Sequence, residues 1–414
     1  MIDNEIKVPR VMLAAVDLGE YDAQQSLDEL EELAQTAGAE AVVRVIQKRP
    51  SFDSATCIGS GRLEEMAEIC EREDIDQIIF DHELTATQIR NIEDVCKVHT
   101  IDRTMLILDI FAQRATTHEG RLQVEIAQNK YRLTRLAGMG IKLSRLGGGI
   151  GTRGPGETKL ETDKRHIRTR ISALSKELKE IEQRRSLHRE RRKKDGVLVC
   201  AIVGYTNVGK STLLNKLTEA GVLAENKLFA TLETTSRAIE LPDGRSVMLV
   251  DTVGLIRRLP HHLVEAFKST LEEAANADVI LHICDASSDD CEEQAKVTLE
   301  LLAELGCEGI PTVTVLNKCD KVPYIDDIID ENIVKISAKE GTGLDKLLLA
   351  IQAALPKSAV RTKLLLPFDK AGLLNTIRIN GKVFSEEYTA DGVLTDALVD
   401  IKIFPQVERY KCNN

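Results

Sequence analysis

Long hydrophobic runs, a signal-type leader, paired cysteines and metal-spaced histidines are all missing from this chain of 414 residues. No apolar stretch approaches the roughly 18–20 residues that a membrane-crossing helix needs, so no membrane span is expected. The opening MIDNEIKVPR lacks the apolar core of a signal peptide. The nine cysteines are scattered and never fall in paired CxxC spacing, which argues against a disulfide framework or a cysteine zinc site. Reduced thiols in a cytoplasmic protein are the expectation. The eight histidines show no ligand spacing either. What remains is 43% hydrophobic residues, ample for ordinary cores, on a length that suggests about two to four domains.

Against this background residues 204–211 read GYTNVGKS, after an apolar run at 197–203 and before a segment of helical character at 210–220. Strand, glycine-rich loop and helix are the context in which backbone N–H groups cradle phosphates. Gly204 and Gly209 remove Cβ clashes, Lys210 can reach the β- and γ-phosphates, and the Ser211 hydroxyl can bind Mg²⁺. Alone, such a loop fits an ATPase or a kinase as well as a GTPase. Its companions narrow the choice: a threonine-bearing LFATLETTSR at 228–237, DTVG from Asp251, NKCD from Asn317 and SAK from Ser337.

Asp251 closes a second apolar run, 247–250, where its carboxylate can hold a water on Mg²⁺. Gly254 offers a backbone N–H to the γ-phosphate, and one threonine of 228–237 completes the metal shell when GTP is bound. Release of such a loop on hydrolysis is how nucleotide switches work. Asn317, Lys318 and Asp320 follow the β-rich run 312–316 and read the base. The Asp320 carboxylate accepts from guanine N1–H and its 2-amino group, where adenine offers a lone pair. Asn317 can brace the phosphate loop, the Lys318 stem can cover the ring, and the Ala338 N–H can meet guanine O6.

The residue after DTVG is Leu255, not the glutamine that orients attacking water in many GTPases. Slow intrinsic turnover is expected, with a partner supplying stimulation that can reach on the order of 10⁵-fold. Asn207, at the tip of the phosphate loop, can ligate a monovalent cation such as K⁺ or simply brace the loop.

Charge is unevenly spread. The net charge is −11, yet residues 121–195 hold 21 Lys/Arg against 9 Asp/Glu, which leaves the remainder at about −23. An acidic body with one basic arm suits an RNA binder. Within the arm, Leu122, Ile126, Asn129, Leu133 and Leu136, and again Leu160, Ile167, Ile171, Leu174, Leu178 and Ile181, fall at helical spacings. They predict a helical hairpin whose second helix, 159–195, spans on the order of 55 Å. Its end, RRSLHRERRKKD, fits a solvated helix terminus or an RNA contact equally. Eight glycines lie between the helices at 138–156, with Lys142, Arg145 and Arg153 as the cations expected to meet RNA.

Upstream, strands are expected at 10–17, 41–47 and 77–81, alternating with helices at 23–37, 63–73 and 85–98, a small parallel α/β domain. Gly59 and Gly61 are read as a turn. Beyond Pro356, strands at 363–368, 383–389 and 399–404 suggest a small α/β appendage. The fold class is therefore α/β: an N-terminal parallel domain (1–115), a long helical hairpin arm (116–195), a P-loop GTPase domain with a mixed sheet (196–356) and a small C-terminal α/β domain (357–414).

The glycine-rich GGGIGTRGPGETKLETDKRHIR at 147–168, with GYTNVGKSTLLNKLT, LFATLETTSR and DTVGLIRRLPHHLVEAFKSTLEE, resembles the HflX family of translational GTPases. The resemblance covers the N-terminal domain, the arm and the GTPase domain. It implies GTP hydrolysis, slow unless the ribosome stimulates it, binding to the large ribosomal subunit and its RNA, and splitting or rescue of stalled ribosomes under stress. It also implies that the glycine-rich loop reaches ribosomal RNA near the peptidyl-transferase centre. By the family pattern Thr231 is the switch threonine, so Ser211, Thr231 and, through water, Asp251 are expected to hold Mg²⁺. The catalytic set is expected to be Lys210, Thr231, Asp251 and Gly254. GTP or GDP contacts extend over Gly204, Tyr205, Thr206, Asn207, Val208, Gly209, Lys210, Ser211 and Thr212, then Phe229, Ala230, Thr231, Leu232 and Glu233. They continue over Asp251, Thr252, Val253 and Gly254, then Asn317, Lys318 and Asp320, then Ser337, Ala338 and Lys339. Glu233-Thr234 stands where many relatives carry Asp-Pro. Some relatives use ATP in the N-terminal domain, where this chain has no Walker motif. A monomer is expected. A nucleotide-gated RNA-binding or ribosome-assembly scaffold with little hydrolysis is the alternative.

Overall fold

The computed structural model describes residues 8–143, 155–218, 228–229, 234–258, 272–322, 332–356, 359–370 and 372–412, without the side chains of 137–143, 155–160 and 380. It divides into two compact units. The first comprises Met1–Arg184, Glu225–Glu233 and Arg258–Ser269, the second Arg185–Ala224, Thr234–Arg257 and Thr270–Asn414.

In the first unit β1 (Arg10–Asp17), β2 (Glu40–Lys48), β3 (Gln77–Phe80) and β4 (His99–Asp102) form one parallel sheet in the order β2-β1-β3-β4. Val11 to Val16 are all fully buried, as a central parallel strand covered on both faces requires. Helix α1 (Ala23–Thr36) starts at Asp22, whose carboxylate accepts from the Gln24 and Gln25 N–H groups. Helix α2 (Ser60–Arg72) is capped by Gly59, while Gly61, expected in a turn before the helix, falls inside its first turn. Helix α3 (Ala86–Cys96) opens on a Thr85/Gln88 capping box and stops at the left-handed Lys97, φ +59°, short of the expected 98. The sequence gives no warning of β4, because HTID is too short and too polar to register as a strand. Asp102, its last residue, caps α4 (Arg103–Arg114).

The hairpin forms from α5 (His118–Leu143) and α6 (Pro155–Lys194). Its pairing is antiparallel: His118 meets Glu177 at 2.8 Å, and Arg170 meets Glu125 at 2.7 Å. Leu122, Ile126 and Leu174 are buried between them, with Leu178 and Ile181 alongside. Asn129, placed on the seam by spacing, instead donates to the Glu125 carbonyl on its own helix at 2.7 Å. The other face of α5 is committed to the parallel domain. Tyr131 donates to the Asp102 carboxylate, and Arg135 pairs with the same carboxylate at 2.7 Å.

Much of the basic end of α6 is structural. In the second unit Arg185, Arg189 and Arg192 converge on Glu273 at 3.1, 3.9 and 3.8 Å, and Glu273 is only 5% exposed. Removing a buried partner strands the charges it balanced. Glu273→Ala is expected to lower unfolding free energy by about 3 kcal/mol in denaturant melts of the full chain. A loss below about 0.5 kcal/mol would return these arginines to the solvated class.

The second unit carries a six-stranded sheet in the order β10-β9-β8-β5-β7-β6. Its strands are β5 (Leu198–Gly204), β6 (Thr235–Glu240), β7 (Ser246–Asp251), β8 (Val279–Asp285), β9 (Thr312–Asn317) and β10 (Ile333–Lys335). All neighbours are parallel except β6 against β7, the mixed sheet expected. Helix α7 (Lys210–Thr218) follows β5, α8 (Cys291–Glu304) follows β8 and α9 (Leu344–Ala354) follows β10. A further antiparallel sheet has the order β11-β13-β12, from β11 (Ala359–Leu366), β12 (Lys382–Thr389) and β13 (Gly392–Asp400). The third strand lies earlier than the expected 399–404. It begins at Gly392, whose φ of +149° and Cβ position 2.3 Å from the Leu366 carbonyl allow only glycine, and beyond it Phe404–Val407, with Pro405 in its first turn, is a short helix. No helix among the described residues is long and apolar enough to cross a membrane. All nine cysteines are free thiols.

Candidate functional site

The carboxyl ends of β5, β7 and β9 bring the phosphate loop, DTVG and NKCD together, which is where ligands sit on parallel α/β sheets. Two glycines make the loop possible. Gly209 has φ +96°, and a Cβ there would lie 2.4 Å from Asn317 Nδ2. A Cβ on Gly204 would lie 2.3 Å from the Ile283 carbonyl. Asn207, at φ +61°, is the exposed tip between them.

Lys210 is 6% exposed, and its ammonium donates to the Gly204 and Tyr205 carbonyls at 3.0 and 2.6 Å. Burial pulls its pKa down to about 8, against a smaller opposing pull from Asp251. The Ser211 hydroxyl donates to the Asp251 carboxylate at 2.8 Å, with Asp251 fully buried. A hydroxyl and a carboxylate facing each other at the start of a helix form an oxygen donor set of the kind Mg²⁺ takes. Thr252 turns into the sheet and donates to the Ile202 carbonyl at 2.7 Å, and Val253 is 4% exposed. Gly254 lies close above the loop: a Cβ on it would be 2.7 Å from Thr206 Cγ2 and 3.1 Å from Lys210 Nζ. Leu255 is 1% exposed and pinned by its backbone, its N–H to the Gly204 carbonyl at 3.2 Å and its carbonyl to the Thr206 N–H at 2.8 Å.

The residues expected to read the base are braced rather than loose. Asn317 donates to the Val208 carbonyl at 2.7 Å and accepts from the Ala338 N–H at 2.9 Å, tying phosphate loop, NKCD and SAK together. Asp320 is exposed, with Oδ1 accepting from the buried Ser337 hydroxyl at 2.6 Å, which holds its carboxyl below the usual range. Lys318 sits at φ +62° and pairs with Asp285 at 2.7 Å. Asp285, the partner of Lys318, is a residue that motif reading did not single out. Its position at the end of the apolar VILHICD, on the strand next to β9, was the available signal. Tyr205 and Val208 are buried, Thr212 is partly exposed and Lys339 is exposed.

Phe229 belongs to the first unit, where its ring packs edge-on against Phe111 at 4.6 Å. Ala230, Thr231, Leu232 and Glu233 lie outside the described residues, as do Arg145, Arg153 and the side chain of Lys142.

Three family models match the chain in sequence: a GTP-binding GTPase N-terminal region over residues 24–112, a GTP-binding GTPase middle region over 114–192, and a 50S ribosome-binding GTPase domain over 199–318. The GTPase HflX of Caldanaerobacter subterraneus subsp. tengcongensis is 49% identical over 97% of this chain and 93% of its own length. That of Lacrimispora saccharolytica is 49% identical over 95% and 94%. The chain belongs to the HflX family of GTPases. As an HflX GTPase it binds guanine nucleotide and hydrolyses GTP. A solved GTP-binding protein from Sulfolobus solfataricus, in complex with GDP, is 25% identical and covers 84% of this HflX chain and 98% of that one, with a TM-score of 0.45.

Proposed function

We propose that this HflX protein couples GTP binding and hydrolysis to association with the large ribosomal subunit and its RNA, and that it splits or rescues stalled ribosomes under stress. What carries the reading is a braced guanine-nucleotide site in a domain that matches a 50S ribosome-binding GTPase model over residues 199–318. The basic hairpin supports it, with Lys142, Arg145 and Arg153 as the cations for RNA.

In this reading the loop from Gly204 to Thr212 wraps the phosphates, and Lys210 transfers its ammonium from two carbonyls to the β- and γ-phosphates. Gly254 gives its N–H to the γ-phosphate. Asn317, Lys318, Asp320 and Ala338 hold guanine. Ser211 and Thr231 would hold Mg²⁺, with Asp251 acting through water. Bound there, the metal would neutralise charge on the phosphate oxygens. Asn207, at the exposed tip, would be the ligand for K⁺.

Lys210 gives the site a pH signature. A phosphate beside it favours the ammonium form, so its bound pKa lies above the free value of about 8. Binding then takes up a proton above pH 8. Nucleotide affinity is expected to hold steady below pH 8 and fall by up to about tenfold between pH 7 and 9. Calorimetric titration across that range tests it, and a flat profile would leave Lys210 out of the phosphate site.

Leu255 favours the scaffold alternative, because a buried leucine pinned by its own backbone can neither accept a proton nor position water. One assay separates the readings: GTP turnover and cosedimentation with and without purified large ribosomal subunits, in potassium and in sodium. Stimulated turnover with GTP-dependent cosedimentation is expected. Absence of both would sink the ribosome assignment, cosedimentation without turnover would favour the scaffold, and equal rates in the two salts would remove K⁺.

A further inference from the structure

The turn that leaves β8 is built around the two residues that open NKCD. Asp285 ends β8 beside β9, in register with Asn317. The Ala286 N–H donates to the Asn317 carbonyl at 2.9 Å, so the chain leaving β8 is bonded to NKCD through its backbone. Asp285 then divides its carboxylate between two tasks. Oδ1 accepts from the Ser287 N–H and hydroxyl at 3.0 and 2.7 Å, which closes a tight side-chain turn over residues 285–287. Oδ2 takes Lys318, whose ammonium lies 2.7 Å from it.

This pair differs from the exposed ion pairs elsewhere on the chain. The side chains of Lys318 and Asp285 are only 20% and 15% exposed, so solvent and salt screen them little. Lys318 also has a left-handed backbone, φ +62°, a conformation that a residue with a Cβ takes seldom and keeps only where its surroundings hold it. The four-carbon stem is thus fixed at both ends, by its own backbone and by the Asp285 carboxylate. A loose lysine stem samples many rotamers and must be ordered before it can lie along a ring. Here the protein supplies that order. The charge is satisfied at Asp285, so the stem can offer a purine face hydrocarbon.

We infer that Asp285 is a positioning residue for guanine nucleotides: through Oδ2 it pins the Lys318 ammonium and holds the lysine stem as the cover of the base. The inference rests on the proposed place of Lys318 over the ring. It brings into nucleotide binding a strand end that lies outside the phosphate loop, DTVG, NKCD and SAK. Because the contact acts on the base and not on the phosphates, GDP and GTP feel it alike.

The test titrates the full chain with GDP and with a non-hydrolysable GTP analogue. In Asp285→Asn the Ser287 N–H keeps the amide oxygen on the turn, which leaves an amide donor facing the ammonium, so the Lys318 contact breaks and the turn survives. Both nucleotides are expected to bind more weakly by the same factor, about threefold to tenfold, the cost of ordering one lysine. Ser287→Ala removes only a hydroxyl from Oδ1 and is expected to stay within twofold of wild type. Lys318→Met keeps an apolar stem and strands the Asp285 carboxylate, so adding Asp285→Asn to it is expected to cost no affinity or to restore some. If Asp285 served the fold alone, it would cost the same in both backgrounds. That result overturns the inference, and so does Asp285→Asn binding within twofold of wild type, a matching loss in Ser287→Ala, or a loss confined to one nucleotide. A wild-type chain that binds neither nucleotide would strike the base-site reading instead.

Discussion

Replacing Asp320 by asparagine is expected to move base preference from guanine to xanthine, with GTP affinity falling roughly 100-fold or more while xanthosine triphosphate gains. The carboxylate is acceptor-only, which suits the two N–H donors on the edge of guanine. An amide keeps one acceptor and turns a donor toward the 2-amino group, so one hydrogen bond becomes a clash of donors. Xanthine carries a carbonyl at that position and accepts from the new amide. The substitution should leave the fold intact, since Asp320 is exposed and its carboxylate accepts from the Ser337 hydroxyl, a bond that an asparagine oxygen can also accept. Competition titrations with GTP and xanthosine triphosphate read the result. Unchanged guanine affinity would show that the base is read elsewhere.

Lys210→Ala should be the most damaging change to turnover. The ammonium is the one cation of the phosphate loop, and it is already buried: it is 6% exposed and, among the described residues, bonded to the Gly204 and Tyr205 carbonyls. Charge placed in a dry site ahead of the reaction needs little rearrangement when negative charge builds up on the phosphate oxygens. Losing such a group typically costs roughly 100- to 1000-fold in rate. Single-turnover hydrolysis at saturating GTP isolates this effect from weaker binding. A rate within threefold of wild type would mean that Lys210 faces the carbonyls for structure alone.

The nucleotide machinery was legible because its requirements are local. Gly209 must be glycine for its backbone angle and for the 2.4 Å approach of Asn317, and Asp251 must end an apolar strand to face Ser211. The hairpin was legible through the four- and three-residue spacing of Leu122, Ile126 and Leu174. What escaped is recorded in no periodicity. Tyr131 and Arg135 reach Asp102, and Arg185, Arg189 and Arg192 reach Glu273, across long stretches of chain, so each looks like a solvated residue in one dimension. Arg258, one of two adjacent arginines after DTVG, looked equally ordinary. Its neighbour Arg257 pairs with Asp290 and Glu293 in the second unit, while Arg258 is claimed by Asp81 in the first.

Asn317 sits on the base-reading strand, yet its two hydrogen bonds go to the Val208 carbonyl and the Ala338 N–H, and its amide fills the space a Gly209 side chain would need. In the proposed site, base and phosphates would therefore be gripped by one mechanical piece. On that proposal specificity can be rewritten at the exposed Asp320, which makes no bond to the phosphate loop among the described residues, but not at Asn317, where a change of size or polarity is expected to loosen the hold on every nucleotide alike. The chain is thus expected to offer one position for altering which base it accepts and a neighbouring one for abolishing nucleotide binding altogether. That separates the two kinds of loss in any collection of inactive variants.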